Sequence, residues 1–233
     1  MKRLLCKRPT TGRHSQVVFI TLIALLLLST VSACTTTTVD EYRESPSQLA
    51  MSENETVVVL GRRHAGDYET EPKFIDCIGE SLNKAPAVIV LPETTFVDAL
   101  YPWFEPRTAP LGLRRLEKML ADPLIGQHIR QHGVRYMIWV DGSTATTDKD
   151  GSVSCAIGPG GGGCFGFATW EKTASYEAII WDLEQLDERG RVKVNAKGSS
   201  YLIAIGAPIP IIAQVQDKAC AGIGKQLRAF FTE

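Results

Sequence analysis

The chain has 233 residues, of which 44% are hydrophobic, 22% charged and 8% aromatic, an ordinary globular composition that excludes disorder, collagen and coiled coil. The formal net charge of −1 hides an asymmetry: Lys2, Arg3, Lys7, Arg8 and Arg13 lie in residues 1–33, which hold no Asp or Glu. From residue 34 onward 20 basic residues therefore face 26 acidic ones, a formal charge of −6. Such a surface repels phosphate and argues against nucleic acid as a partner.

The amino terminus reads as an export signal. The basic segment ending at Arg13 is followed by an apolar run, Val17 to Leu28, and then by the small residues Ser29, Thr30, Ser32 and Ala33. The rival reading is a retained membrane anchor, for which residues 17–33 stand at the short edge. The segment Val31-Ser32-Ala33-Cys34 resembles the bacterial lipobox, with Val at a position where Leu is commoner. That resemblance implies cleavage before Cys34, a thioether to diacylglycerol, and acylation of the new amino group. Two or three acyl chains anchor stably, at about 0.8 kcal/mol per buried methylene. Thr35 and not Asp follows the Cys, which under the enterobacterial sorting rule implies passage to the outer membrane. The expected location is the cell envelope, on the inner leaflet of the outer membrane and facing the periplasm, with membrane lipid held through Cys34. Residues 34–55 are polar and lack periodicity, so they read as a flexible tether.

The folded part is expected at residues 56–233, as one domain. Thr56 to Leu60 is a β-branched run ended by Gly61 and reads as a buried strand. Glu71 to Leu82 is helical, with Pro72 in the first turn and Phe74, Ile75, Ile78 and Leu82 on one face. Ala87 to Leu91 is a second strand, and a short helix covers Thr94 to Leu100. Tyr101-Pro102-Trp103-Phe104-Glu105-Pro106 reads as an aromatic loop between prolines. Leu113, Leu116 and Leu120 mark a helix. Asp122 caps another, opened by Pro123 and closed at His132-Gly133. Val134 to Val140 is a third strand, ended by Asp141-Gly142. Antiparallel strands follow at Phe165–Trp170, Ala174–Leu183 and Val192–Ala196, with Asp187-Glu188-Arg189-Gly190 as the turn between the last two. The last strand continues through Ser200 to Gly206 until Pro208 and Pro210 stop it. A closing helix carries Ile212, Val215, Ala219, Ile223, Leu227 and Phe230 on one face.

This order demands crossovers in the first half and a meander in the second. The expectation is an α/β (α+β) fold with a single mixed sheet, parallel first and antiparallel second, and helices mainly on one face. The element order, with its Val-rich first strand and Gly-Val-Arg-Tyr (133–136), resembles the periplasmic domain shared by the amino-terminal part of TolB and the lipoprotein CsgG. It also resembles the lipoprotein activators of penicillin-binding proteins. Segments 96–106 and 158–166 resemble a widespread, uncharacterised group of proteobacterial outer-membrane lipoproteins. The CsgG likeness implies a subunit of a secretion assembly, which needs long hairpins able to span a membrane. The one hairpin legible here, near residue 187, has a short charged turn and strands of ordinary length, which argues against a pore.

Four cysteines remain beyond Cys6 and Cys34, and an even number in an oxidising compartment suggests disulfides. Cys155 and Cys164 flank a Gly-rich segment and are nearest in sequence. Cys77 and Cys220 fall on the first and last helices and either bond or stay as buried thiols. Gly160 to Gly163 lacks the following Lys and Ser or Thr of a phosphate loop, so no nucleotide is expected, and the segment reads as a surface loop. His128 and His132 share a helix face, without the intervening Glu of a zincin or a third ligand that the sequence places nearby, His64 included. No metal or cofactor is expected. No Ser sits in a nucleophile elbow. Glu93, Asp98, Asp141, Glu171 and Asp182 could make a glycosidase pair only if two met in a cleft. The reading is a binding or scaffold lipoprotein without catalysis, contacting an envelope protein through Tyr101, Trp103 and Phe104. The alternatives are a carboxylate hydrolase and an accessory subunit of a secretion assembly.

Overall fold

The computed structural model describes residues 35–43, 48–64, 67–68, 70–104, 109–110 and 113–232. Cys34, where lipidation is expected, lies outside the described residues, as does the whole signal segment. The elements are β1 (Thr35–Arg43), β2 (Thr56–Gly61), β3 (Arg63–His64), β4 (Asp67–Tyr68), α1 (Pro72–Leu82), β5 (Val90–Leu91), α2 (Glu93–Ala99), α3 (Leu113–Leu120), α4 (Pro123–Gln131), β6 (Val134–Gly158), β7 (Gly161–Asp182), β8 (Asp187–Ile211) and α5 (Val215–Thr232).

The fold is mixed α/β on a single six-stranded sheet of order β1-β8-β7-β6-β2-β5, beside a two-stranded ribbon, β3-β4. Strand β2 pairs in parallel with β5 and β6, whereas β6-β7, β7-β8 and β8-β1 are antiparallel. A parallel strand covered on both faces carries apolar residues at successive positions, and Val57 to Leu60 are all buried. Val58 and Leu60, with Met137 and Trp139 of β6, pack against Phe96, Leu100, Leu116, Ile125 and Ile129 from α2, α3, α4 and the turn after α2. The opposite face meets α1 and α5: Tyr136 lies edge-on to Phe231, and Phe74 stacks on Tyr176 with ring centroids 3.6 Å apart.

The antiparallel half is covered on one face. Along β8, Val192, Val194 and Ala196 are fully buried, while the alternate residues Arg191, Lys193, Asn195 and Lys197 lie on the other face. That face is laced by ion pairs, Arg191 to Glu188 at 2.9 Å and to Glu177 at 3.3 Å, and Lys197 to Glu171 at 2.7 Å. The two longest helices, α1 and α5, thus share one side, and the three short helices close the other side of the parallel strands.

Several expected boundaries move. The tether is not free over residues 35–43, because its β-branched Thr run adds β1 to the edge of β8, from Thr35 opposite Gly198 to Arg43 opposite Gly190. Leu49 is buried and its N–H donates to the Phe230 carbonyl at 2.8 Å. The second strand is only Val90–Leu91. The turn expected at 187–190 falls at 183–186, where Asp182 Oδ1 accepts from the N–H groups of Glu184 and Gln185 at 2.9 and 3.1 Å. The largest change is at Asp141-Gly142. The third strand does not end there but runs on to Gly158, and β7 starts at Gly161.

Candidate functional site

The aromatic segment does not form a free contact surface. Phe104 is 3% exposed and packs edge-on against Phe96 with centroids 5.1 Å apart, as part of the core. Trp103 is half-buried against the same core and tilts over His128 at 5.3 Å. Only Tyr101 of the three is exposed. The assignment of Trp103 and Phe104 to partner binding is corrected accordingly: residues following Pro102 turn inward because the end of the α2 face needs an apolar cover.

The cysteines pair as two disulfides. Cys77 and Cys220 join α1 to α5 with Cα atoms 6.3 Å apart, and Cys155 and Cys164 join β6 to β7 at 4.0 Å. The second pair does not staple a glycine loop, since its two cysteines stand directly opposite in an antiparallel ladder that continues to Gly158 opposite Gly161. Successive glycines at 160–163 do not force a loop when flanking residues supply the pairing.

The carboxylates do not gather. Asp141 is held by Arg62 at 2.9 Å, Asp182 by Arg135 at 2.8 Å and Glu171 by Lys197 at 2.7 Å, and Glu93 Oε1 accepts from the Gly61 N–H at 3.3 Å. Of the five candidate acids only Glu93 lines either of the two cavities at the parallel strands, beside Gly61 and Val97 in one and beside Asp76 and Glu80 in the other. No group of three or more His, Cys, Asp or Glu side chains suited to a metal occurs among the described residues.

What the structure does assemble is a β finger. Beyond Gly61 opposite Val140, β2 no longer accompanies β6, and β6, β7 and the outer part of β8 continue together. Pairing of β7 with β8 reaches Cys164 opposite Gly206. Ala213 N–H then donates to Ser200 Oγ at 3.0 Å. The intervening residues, about 43 Å if extended, therefore double back, and Gly206, at φ +85°, sits where the reversal is needed.

The finger's root is fixed by a polar cluster. Tyr176 OH donates to Glu71 Oε2 at 2.8 Å and shares a 2.7 Å hydrogen bond with the Thr144 hydroxyl, while Glu71 Oε1 accepts from the Thr144 N–H at 2.8 Å. Burial pushes the Tyr176 phenol well above its ordinary value. The Thr144 hydrogen bond opposes this, and the Glu71 carboxylate adds to it. Gly142, at φ +132°, lets β6 leave the body here, since a Cβ would stand 2.1 Å from the Ser175 carbonyl oxygen.

The two faces of the finger differ. One carries Tyr201, Phe167, Ile203, Phe165 and Ile205, set by the registers of Thr169 with Tyr201, Phe167 with Ile203 and Phe165 with Ile205, and Phe167 stacks near Tyr201. The other carries Ala168, Leu202, Val153, Gly166, Ala204 and the disulfide. Ile157 is 94% exposed, Ile205 79% and Phe165 65%. At the finger's base an open groove of about 520 Å³ is lined by Lys149, Asp150, Trp170 and Leu202 among others.

One sequence signal could have marked this element. Residues 151–170 and 198–216 contain no Asp, Glu, Lys or Arg, and Lys149, Asp150, Glu171, Lys172 and Lys197 stand at their borders.

No family model matches the chain, and no curated protein matches it. Among solved structures it is similar to a PelC dodecamer from Paraburkholderia phytofirmans, at 12% identity and a TM-score of 0.40, over 84% of this chain and 97% of that one. A single-substitution variant of the same dodecamer gives 12% identity and a TM-score of 0.39 over 85% and 100%. Scores of this size do not establish a shared fold.

Proposed function

We propose that this chain is a lipid-anchored scaffold protein of the bacterial cell envelope that acts by binding, with the β finger as its contact element. The observation that carries this is the finger's row of exposed Phe165, Phe167 and Ile205 on one face, with exposed Ile157 on the other. Soluble surfaces rarely leave large apolar side chains clustered without a partner. The order of basic segment, apolar run, small residues and Cys34 supports the anchor, and two disulfides fit an oxidising compartment. Asp141, Asp182 and Glu171 are each held in an ion pair, which favours binding over the hydrolase reading.

The accessory-subunit reading gains from the same element. Strands of ordinary length argued against a pore, and β6 and β7 have 25 and 22 residues. Both readings place function at the finger.

A photo-crosslinking residue placed at Phe165 or Ile205 in cells tests this, beside the same residue at Tyr101 and at Ile89, both exposed on the body. Adducts at the finger and none at Ile89 are expected. Adducts confined to Tyr101 or to the body would contradict the reading.

A further inference from the structure

We infer that the charge-free end of the finger enters the hydrocarbon of the bilayer that holds the chain's own acyl anchor. This deepens the proposal above and rests on its lipidation of Cys34.

Three independent features meet at one level of the molecule. The first is charge. Beyond Asp150 on β6, Glu171 on β7 and Lys197 on β8, every finger residue is uncharged. Asp, Lys and Arg are costly at bilayer depth, and a border of them marks where such a segment meets headgroups.

The second is length. Gly151 to Gly158 on β6 extends about 26 Å at 3.3 Å per residue. Gly161 to Trp170 on β7 runs slightly longer. Transmembrane β-strands need about 9–11 residues when tilted to cross an apolar band about 25 Å tall, so the charge-free run of β7 matches a crossing strand while that of β6 reaches most of the way. Trp170 and Tyr201 lie near the charged border, where amphipathic rings favour the interface.

The third is the anchor's position. Thr35, the residue after Cys34, pairs with Gly198, which in turn stands opposite Lys172. The residue that follows the lipid-bearing one is thus paired at the charged border, on the strand edge beside the finger's root. Acyl chains attached there enter the membrane within a few residues of the point where the finger loses its charges. A chain anchored far from the finger, or facing the other way along β8, would have no such match.

Insertion carries one structural condition. Beyond Val140 the outer edge of β6 has no partner strand among the described residues. Hydrocarbon does not tolerate unpaired backbone groups, so the inserted form pairs that edge with a further copy of the chain.

The test uses full-length lipidated protein in vesicles of phosphatidylethanolamine and phosphatidylglycerol doped with acyl-brominated phosphatidylcholine. Phe165→Trp reports the finger, and Ile89→Trp reports the body. The added emission at residue 165 should be quenched by the bromines and shielded from aqueous acrylamide. The added emission at residue 89 should show the reverse. Phe165→Lys with Ile205→Lys should abolish insertion, read as acrylamide access of the neighbouring Trp170, while both disulfides still form. Chemical crosslinking of the vesicle-bound wild type should give multi-copy species. Bromine quenching no greater at residue 165 than at residue 89 would overturn the inference, as would an inserted finger on a strictly monomeric protein. Shielding of residue 165 from bromine and acrylamide alike, with protein adducts at that position, would leave the scaffold reading standing and remove insertion.

Discussion

Replacing Cys77 and Cys220 together by Ala should destabilise the whole domain, and by more than the corresponding change at Cys155 and Cys164. The bond from α1 to α5 spans a sequence separation of 143, whereas the finger's bond spans 9. In the chain-entropy model these closures remove about 5 and about 2.7 kcal/mol of denatured-state entropy. The helix contact survives without the bond, since Arg228 donates to the Ser81 carbonyl at 3.1 Å and Ile78, Leu82, Ile223 and Leu227 stay buried. The measured loss should therefore lie at about 2–5 kcal/mol, the usual range for removing a native disulfide. With a urea m-value of about 2 kcal/mol/M, the midpoint falls by about 1–2.5 M. The assay is urea unfolding of the oxidised protein, followed by Trp emission from the body, where Trp139 and Trp181 report the parallel strands and the sheet next to them. Losing the finger's bond loosens residues outside the helix-covered sheet and should barely move that midpoint. Equal shifts for the two pairs, or a larger one for Cys155 and Cys164, would refute the view that α1 and α5 close the cooperative core while the finger stands apart from it.

Phe104→Ala should cost about 3–5 kcal/mol as a core truncation, while Tyr101→Ala, at an exposed position, should stay within about 0.5 kcal/mol; thermal or urea unfolding separates them. Asp182→Ala leaves Arg135 only Glu184 as an ion-pair partner and removes the acceptor for the N–H groups of Glu184 and Gln185, so about 1–3 kcal/mol should be lost, checked by the same unfolding curve. Tyr176 binds its proton more tightly folded than unfolded, so its contribution is complete below the ordinary tyrosine range near pH 10 and declines as pH rises above it. Stability against pH should fall on that alkaline limb, and Tyr176→Phe should flatten it. Gly142→Val should block the exit of β6 from the body and raise hydrogen exchange across residues 143–150, because its Cβ has no room beside the Ser175 carbonyl.

The parallel half was legible because its signals are local. The run Thr56 to Leu60, the helical spacing of Phe74, Ile75, Ile78 and Leu82, and the cap at Asp122, whose Oδ1 accepts from the Leu124 N–H at 2.9 Å, each fix their element within a few residues. The finger was not legible in that way. Gly142 and the glycines at 160–163 read as breaks, but cross-strand pairing with a neighbour overrides a weak local preference. Pro208 and Pro210 likewise read as stops, yet they lie in the returning segment of β8, past its last pairing with β7, where a missing N–H is tolerated. The aromatic segment misled for the opposite reason: Trp103 and Phe104 sit between prolines as a surface loop would, and only the tertiary cavity at the end of α2 draws them inward. Absence of charge over 151–170 and 198–216 was the one non-local signal present, and it speaks of environment rather than of secondary structure.

The most direct measurement is peptide-resolved hydrogen exchange of the lipidated protein, comparing vesicles with detergent-free protein cleaved from its anchor. Amides in 151–170 and 199–211 should slow markedly on vesicles, while those of α3 and α4 stay unchanged. Protection that is unchanged in the finger, or that appears instead around Tyr101, would contradict the account.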